Sequence, residues 1–534
     1  MLLSGMISVT ENLPDNVDEL KQIIRDLEAR SSKEIESLKE QISLLTAKLF
    51  GRRSEKSILE QLVPGQAFLP GMEIDLQAPA EEPEPVVVNK HTRRKTGRKP
   101  LPDNLPREEV IHDIPEDEKV CSCGCPLTRI GEETHEQLHV EPAKFKVIRH
   151  IRPKYACRAC EGAESEEQAV KIAPPPTQII PKSIATIALV VYIITSKFVE
   201  SLPLYRQEKR FRRQGIILTR ATMSNWLVKV AALCRILLPL MIQEIRSGPL
   251  INADESSFQV MKEPNRKNTS KSYIWVFRGG PEDRPVVVYH YEPTRSSQVV
   301  KDFLGGYRGY VQTDGYQGYN VLESDEEGVT LVGCLAHVRR KFDEVVKGNR
   351  KAGNQKKLAA ETALAYIQQL YAIEKEAKDL LPEERYQLRQ EKSKPIMDDF
   401  GNWLLKTYPQ TPPKGLLGKA IKYTLNQWPR LIIYLENGFL KPDNNLAENA
   451  IRPFVVGRKN WLFAGSPEGA QASALFYSLI ETAKINDLNP EKYLTFLLEK
   501  ILHVKDQEEL HSLLPNRVSQ ETIDEYLASP DRML

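Results

Sequence analysis

Asp254 closes the apolar run Pro249-Leu-Ile-Asn-Ala-Asp254, and Asp314 closes another, Tyr310-Val-Gln-Thr-Asp314. Acidic side chains on interior strands are rare unless paired or metal-bound, because burying a lone charge is costly. Two such aspartates on neighbouring strands face each other across a few ångströms, and like charges that close need cations between them. Two divalent ions about 3.5–4 Å apart suit in-line attack on a phosphodiester, one activating the nucleophile and the other the leaving oxygen. Oxygen ligands without His or Cys favour Mg²⁺ or Mn²⁺ over zinc. The helix bearing Glu448 supplies a third carboxylate. Taken singly, each aspartate also suits a strand-end turn that satisfies backbone N–H groups. Glu255 and Asp443 are near neighbours of the proposed ligands; on a regular strand Glu255 points to the opposite face from Asp254.

Periodicity supplies the elements that must hold these groups. From Pro249 the pattern shifts to short β runs at Leu250–Val260, Ser272–Phe277, Val286–Tyr291, Tyr310–Thr313 and Val329–Val332. Helical spacing joins the third and fourth runs over Ser296–Leu304. A short helix near Tyr319 joins the fourth and fifth, and a longer one starts near Leu335. Three strands, a helix, a strand, a helix and a strand is the order of an RNase H-like core, a mixed sheet flanked by helices. Residues 355–440 look wholly helical, with Leu364, Ile367, Leu370 and Tyr371 on one face. That block is an insertion ahead of the Glu448 helix.

Other chemistry lies upstream. Cys157-Arg-Ala-Cys160 is a C-x₂-C half-site, and Cys121-Ser-Cys-Gly-Cys125 offers three thiolates where a tetrahedral zinc needs two. Grouped cysteines in a chain with no evident secretory leader point to structural zinc rather than disulfides. Leu20, Ile24, Leu27, Ile35, Leu38, Ile42, Leu45 and Leu49 repeat at coiled-coil a and d spacing, with a four-residue stutter at Ser31 and Glu34. That seam suits self-association, or packing on the helix's own chain.

The net charge of +2 hides two basic stretches. Residues 90–110 carry seven basic against three acidic side chains, and residues 197–220 carry seven against two. In the first, Arg98 and Lys99 sit in an extended Gly-Arg-Lys-Pro that suits a narrow minor groove. In the second, Arg210 and Arg213 lead through Gly215 to Thr219, an N-cap ahead of Arg220 and Asn225. A capped helix after a glycine turn has the form of a helix-turn-helix recognition helix. Further on, Arg452 lies one helical turn past Glu448. Arg458, Lys459 and Trp461 follow in a turn-like segment suited to holding phosphates and stacking a base. The apolar run Ile184–Thr195 falls short of the ~20 residues of a spanning helix. A cytoplasmic protein with no membrane segment is therefore expected.

At Asn444-Asn-Leu-Ala-Glu-Asn-Ala-Ile-Arg-Pro-Phe-Val-Val-Gly-Arg-Lys-Asn-Trp-Leu-Phe-Ala-Gly-Ser466 the sequence resembles the insertion sequence 66 family of bacterial transposases. So do Leu49–Lys56, Phe145–Cys157, Leu202–Gln207, Ala253–Glu255 and Gly333–Phe342, which carry the likeness along almost the whole chain. The resemblance implies a DDE-type transposase of the RNase H-like superfamily, with Asp254, Asp314 and Glu448 in the catalytic positions. It also implies the element's terminal inverted repeats as substrate and accessory proteins encoded by the same element as possible partners. The family's usual half-site is C-x₂-C followed by Gly. Here Gly124 follows Cys123 and no cysteine stands at 120, so Cys121 and Cys123 are the preferred zinc ligands, with Cys125 the alternate.

The expected layout is a coiled-coil helix over 15–56, a basic, Pro-rich linker over 57–118 and a zinc module over 119–170. A helical DNA-binding region follows over 180–246. The core's first part spans 247–350, the helical insertion 351–440, the catalytic helix and end of the core 441–485, and a helical tail 486–534. The expected activity is Mg²⁺-dependent cutting of double-stranded DNA at transposon ends and joining to target DNA, by a homo-oligomer. Two other readings use the same residues: a metal nuclease that cuts without joining, and a DNA-binding regulator with an inactive core.

Overall fold

The computed structural model describes residues 16–50, 145–156, 170–323, 328–351 and 359–529. These belong to two units, residues 68–176 and the remainder of the chain. In the smaller unit, β1 (Lys154–Ala156) pairs antiparallel with β2 (Val170–Ile172), Lys154 opposite Ile172. The Arg152 guanidinium donates to the Ala173 carbonyl at 2.9 Å. The candidate zinc ligands Cys121, Cys123, Cys125, Cys157 and Cys160, and the basic pair Arg98 and Lys99, lie outside the described residues.

In the larger unit, α1 (Val17–Phe50) is a single helix that runs through Ser31 and Glu34 without a break. Ile24, Leu27, Ile35, Leu38 and Ile42 each keep at least half of their surface exposed. Four helices follow: α2 (Ile187–Phe198), α3 (Leu204–Arg213), α4 (Arg220–Cys234) and α5 (Leu238–Arg246). Gly215, at φ +74°, makes the turn between α3 and α4. Thr219 caps α4, its hydroxyl accepting the Thr222 N–H at 3.2 Å. The α3–α4 pair does not stand apart from the core. Val190, Ile194, Phe211, Met223, Trp226, Val230 and Met241 belong to the same buried cluster as the sheet. Arg220–Arg246 is long and apolar enough to cross a membrane, yet its apolar side chains Met223, Trp226, Val230, Met241 and Ile245 are spent on this cluster.

The sheet is built from β3 (Leu250–Val260), β4 (Lys271–Gly279), β5 (Val286–Glu292), β6 (Gly309–Gln312) and β7 (Val329–Val332), in the order β5-β4-β3-β6-β7. Helix α6 (Ser297–Leu304), capped by Ser296, links β5 to β6. The pairs β3–β4 and β4–β5 are antiparallel, whereas β3–β6 and β6–β7 are parallel. Ile274, Trp275, Val276 and Phe277 are buried in succession, as are Val286, Val287, Val288 and Tyr289. Unbroken burial of that kind requires both faces of the sheet to be covered.

After β7 come α7 (Leu335–Lys351), α8 (Ala359–Glu376), α9 (Pro382–Leu388), α10 (Lys394–Thr407) and α11 (Leu416–Leu431). Val338, Phe342, Ile367, Leu370, Phe400, Leu404 and Ile421 close a second core among them. The chain then returns to the sheet through α12 (Asn445–Trp461) and β8 (Phe463–Ala464), a two-residue strand that pairs with the far end of β3. Arg458, Lys459 and Trp461 thus lie within a helix rather than in the turn expected from sequence. Helix α13 (Pro467–Ile485) seals the free edge of β5. The Thr482 hydroxyl bonds both the N–H and the carbonyl of Val287 at 3.0 Å, and the Ser478 hydroxyl accepts the Tyr289 N–H at 2.8 Å. An edge strand's unpaired backbone groups are satisfied in this way without a further strand. The tail is not loose either. Tyr493, Leu494, Leu497 and Leu498 of α14 (Pro490–Lys500) are buried in the main core.

Candidate active site

The two aspartates lie just past the point where the pairing of β3 and β6 ends. Leu250, Ile251 and Asn252 of β3 lie beside Tyr310, Val311 and Gln312 of β6. Asp254 and Asp314 each follow two residues after the last of these pairs, and the Asp314 charge acts on the Asp254 carboxyl. Asp254 itself is inside β3 rather than at its end. β4 pairs with β3 from Asn252 to Gln259, so the strand continues past the point where β6 leaves it. On that side, among the described residues, β3 has no strand partner again until β8 reaches Gln259 and Val260. The gap opens at Asp254, and α12 lies across it.

Even-numbered residues of β3 face α12. Asn252 bonds Asn444, Ser256 accepts from Arg458 at 3.2 Å, and Phe258 packs edge-to-face on Phe454. Glu255 is on the other face. Its carboxylate accepts from Arg295 Nε at 2.7 Å and from the Tyr319 hydroxyl at 2.8 Å, and the Arg295 guanidinium lies 3.5 Å from the Tyr316 ring centre. Asp443 is likewise occupied elsewhere, accepting from the Tyr371 hydroxyl at 3.0 Å.

Helix α12 is strapped along β3 at both ends. At its start, the Asn444 side-chain amide donates to the Ala253 carbonyl at 2.8 Å and its oxygen accepts from Asn252 at 3.1 Å. Asn252 also donates to Gln312, whose own amide donates to the carbonyls of Gly333 and Lys441 at 3.1 and 2.7 Å. Asn252, Gln312 and Asn444 are all buried, so the amides knit β3, β6, β7 and the entry to α12 together where no water competes. At the far end, Leu462 takes φ +66° and delivers the chain into β8.

The Asp314 loop is fixed separately. The Asp314 carboxylate accepts the Tyr316 N–H at 2.8 Å, and the Tyr423 hydroxyl donates to the Asp314 carbonyl at 2.8 Å. Gly315, at φ +86°, follows; a Cβ there would meet the Gln427 side chain at 2.9 Å. Burial pushes the Asp254 carboxyl well above the usual carboxylate range, and Glu255, Asp314 and Glu448 push it further. Glu448 turns toward α7, with Arg340 at 3.4 Å and His337 Nδ1 at 3.7 Å. Burial and the nearby Arg340 charge hold the His337 imidazole below its ordinary range, against the opposing pull of Glu448. Cys334, one turn before His337, accepts the Asn444 backbone N–H at 3.2 Å.

The remaining candidates divide by exposure. Arg213, Arg220, Asn225, Arg452 and Lys459 are exposed. Arg210 is half-buried against Tyr192, and Arg458 is drawn down onto Ser256. Trp461 is packed among Phe198, Tyr477 and Lys197, the Lys197 ammonium 4.0 Å from its ring. That setting replaces the open base-stacking position expected from sequence. Sequence reasoning left Asn252, Gln312, Cys334, Arg340 and Asn444 without roles. A Cys-x-x-His at a strand-to-helix junction was the available signal for Cys334. The amide network had none, since its members are distant in the chain.

Four segments of the chain match known protein families. Residues 182–472 match the family described as "Transposase IS66 family". Residues 118–161 match the "zinc-finger binding domain of transposase IS66", and residues 37–110 match "Transposase C of IS166 homeodomain". Residues 478–516 match the "IS66 C-terminal element". Similar full-length proteins come from Sinorhizobium fredii (strain NBRC 101917 / NGR234). Uncharacterized protein y4jD is 33% identical, across 95% of this chain and 97% of its own. Uncharacterized protein y4qI is 31% identical, across 96% and 98%.

Proposed function

Because the chain belongs to the IS66 family of transposases, we propose that it cuts DNA at the ends of its element and joins the freed 3′-hydroxyl to target DNA. The core is read as RNase H-like on its strand order, three antiparallel strands followed by two parallel ones. Asp254, Asp314 and Glu448 are the catalytic carboxylates. One observation carries this assignment: Asp254 and Asp314 each lie two residues past the last β3–β6 pair, with the Asp314 charge acting on Asp254, and Asn444 ties the Glu448 helix to the residue before Asp254.

The donor set fits a hard divalent cation. Asp254 and Asp314 offer oxygen alone, in a place where burial and neighbouring carboxylates oppose ionisation of Asp254 in the metal-free protein. Asp254, Asp314 and Glu448 would hold Mg²⁺ or Mn²⁺, two ions in all, which supply Lewis acidity and a lowered pKa for the attacking hydroxyl. The protein's own groups do the positioning. Asn444 and Asn252 fix the backbone at Ala253, Tyr423 holds the Asp314 turn, and Arg340 keeps Glu448 within the site until it is engaged. The exposed Arg213, Arg220 and Arg452 are offered to phosphates, and the exposed seam of α1 to a second copy of the chain. The cysteine pairs hold a structural zinc, and the protein works in the cytoplasm. A labelled element end incubated with plasmid DNA and Mg²⁺ tests the proposal. Joined product is expected with wild type and none with Asp314→Asn; cutting without joining would make the protein a nuclease, and activity in the variant would refute the site.

A further inference from the structure

Among the described residues, one group of three potential metal ligands draws its donor atoms within 4.8 Å of one another: Cys334, His337 and Glu448. Cys334 and His337 share a face across the first turn of α7, and Glu448 comes to them from α12. Two features beyond proximity point to a ligand. His337 Nδ1 and Glu448 Oε1 are each buried with no hydrogen-bond partner, although they stand 3.7 Å apart. Buried polar atoms are normally satisfied, and a facing pair of unsatisfied ones asks for a third atom between them. In addition, the Cys334 sulfur accepts the Asn444 N–H at 3.2 Å, which holds it in place beside the other two donors.

The donor chemistry chooses the occupant. Nitrogen, oxygen and sulfur together suit Zn²⁺ and its relatives Co²⁺ and Cd²⁺, whereas Mg²⁺ avoids thiolate and prefers an all-oxygen shell. We propose that Cys334, His337 and Glu448 form a second metal site, selective for a soft or borderline divalent cation, whose occupancy withdraws Glu448 from the catalytic pair and holds the enzyme off. On binding, the Cys334 thiol loses its proton to solvent and the sulfur lone pair bonds the cation. Glu448 exchanges its ion pair with Arg340 for the metal. The inhibitory half rests on the proposed function, because it needs Glu448 to be catalytic; the binding half does not.

Co²⁺ added to the full-length, zinc-replete protein is the direct probe. Wild type should develop a thiolate-to-cobalt charge-transfer band that Cys334→Ser lacks, and should retain one more equivalent of metal after buffer exchange. His337→Gln, read by the same spectrum, should lose or shift the band, which keeps the test open if one variant folds poorly. In the joining assay with Mg²⁺, with each protein measured against its own rate without Zn²⁺, Cys334→Ser should need at least about tenfold more Zn²⁺ than wild type for half inhibition. Identical Co²⁺ spectra in wild type and Cys334→Ser would overturn the site, leaving a buried water as the third atom. Equal Zn²⁺ sensitivity would overturn the inhibitory role. A Cys334-dependent band in a wild-type protein that never joins DNA would leave the metal site standing and remove the transposase chemistry.

Discussion

Asn444 stands at the N-cap of the helix that carries Glu448, yet its side chain caps nothing; it reaches instead to the Ala253 carbonyl, 2.8 Å away and one residue before Asp254. An asparagine that forgoes a capping bond commonly worth ~1 kcal/mol is being used for something else. Here it sets the distance between the helix and the strand that together present two of the three carboxylates. Asn444→Ala should therefore lower the joining rate by roughly a hundredfold, the scale expected when reacting groups are misplaced by about 1 Å. Binding of element-end DNA, followed by gel shift, should change little. Leaving Asn252 and Ala253 unsatisfied should also cost about 1–3 kcal/mol in denaturant titration. A variant that folds less well yet joins DNA at the wild-type rate would remove Asn444 from the positioning role.

The raised Asp254 carboxyl makes a prediction with a definite sign. The folded protein holds that proton more tightly than the unfolded chain does. Stability from this group is therefore complete below the unfolded pKa, about 3.9, and is lost as pH rises through the folded one. In Mg²⁺-free buffer the wild-type melting temperature should decline from the ordinary aspartate range upward. Asp254→Asn, neutral throughout, should lack that component and melt above wild type at pH 8. Added Mg²⁺ should raise the wild type and leave the variant nearly unmoved. Equal pH profiles for the two proteins would contradict burial of Asp254 among carboxylates.

Much of this arrangement was legible in the sequence, for physical reasons that can be named. Five strands were readable because their apolar runs are β-branched and bounded by Gly, Pro and Asn, and the Ser296 and Thr219 caps announced two helix starts. Alternation along β3 was enough to turn Glu255 away from Asp254. The span of β3, Leu250–Val260, was readable as well, but its partners were not: it pairs antiparallel with β4 along Asn252–Gln259 and parallel with β6 only over Leu250–Asn252. Two-residue β8 has no local signature at all. Its only cause is the left-handed turn at Leu462 that lays Phe463 beside Gln259. Trp461 misled for a related reason: basic neighbours suggested a DNA-facing turn, and only the tertiary fold shows Phe198 and Tyr477 claiming the ring.

Glu255 offers a control for the catalytic assignment, since it neighbours Asp254 in sequence but binds Arg295 and Tyr319 on the opposite face. Glu255→Gln removes the charge opposite Arg295, whose side chain is about a third exposed. Solvent around the guanidinium reduces the cost from that of a fully buried pair to about 1–2 kcal/mol. Joining should persist with an unchanged Mg²⁺ requirement, in contrast to its loss in Asp254→Asn. If Glu255→Gln shifted the Mg²⁺ concentration for half-maximal rate as strongly as a ligand replacement, Glu255 would belong to the metal site.

Two kinds of basic-region substitution should separate DNA contact from folding. Arg213 and Arg220 are exposed on either side of the α3–α4 turn, where a phosphate backbone can reach both. Arg213→Ala and Arg220→Ala should leave the melting temperature within about 1 °C, because surface changes of this kind seldom exceed ±0.5 kcal/mol. Each should weaken element-end binding and reduce the slope of log affinity against log salt by about one. Trp461→Ala should do the reverse. It removes a ring packed on Phe198 and Tyr477 beneath the Lys197 ammonium, at a cost of about 2–3 kcal/mol for a partly buried aromatic. Its salt slope should match wild type, since the ring is spent on the interior. Unchanged salt slopes in both arginine variants would move the DNA-binding surface away from α3 and α4, and a reduced slope in Trp461→Ala would return the C-terminal end of α12 to the DNA.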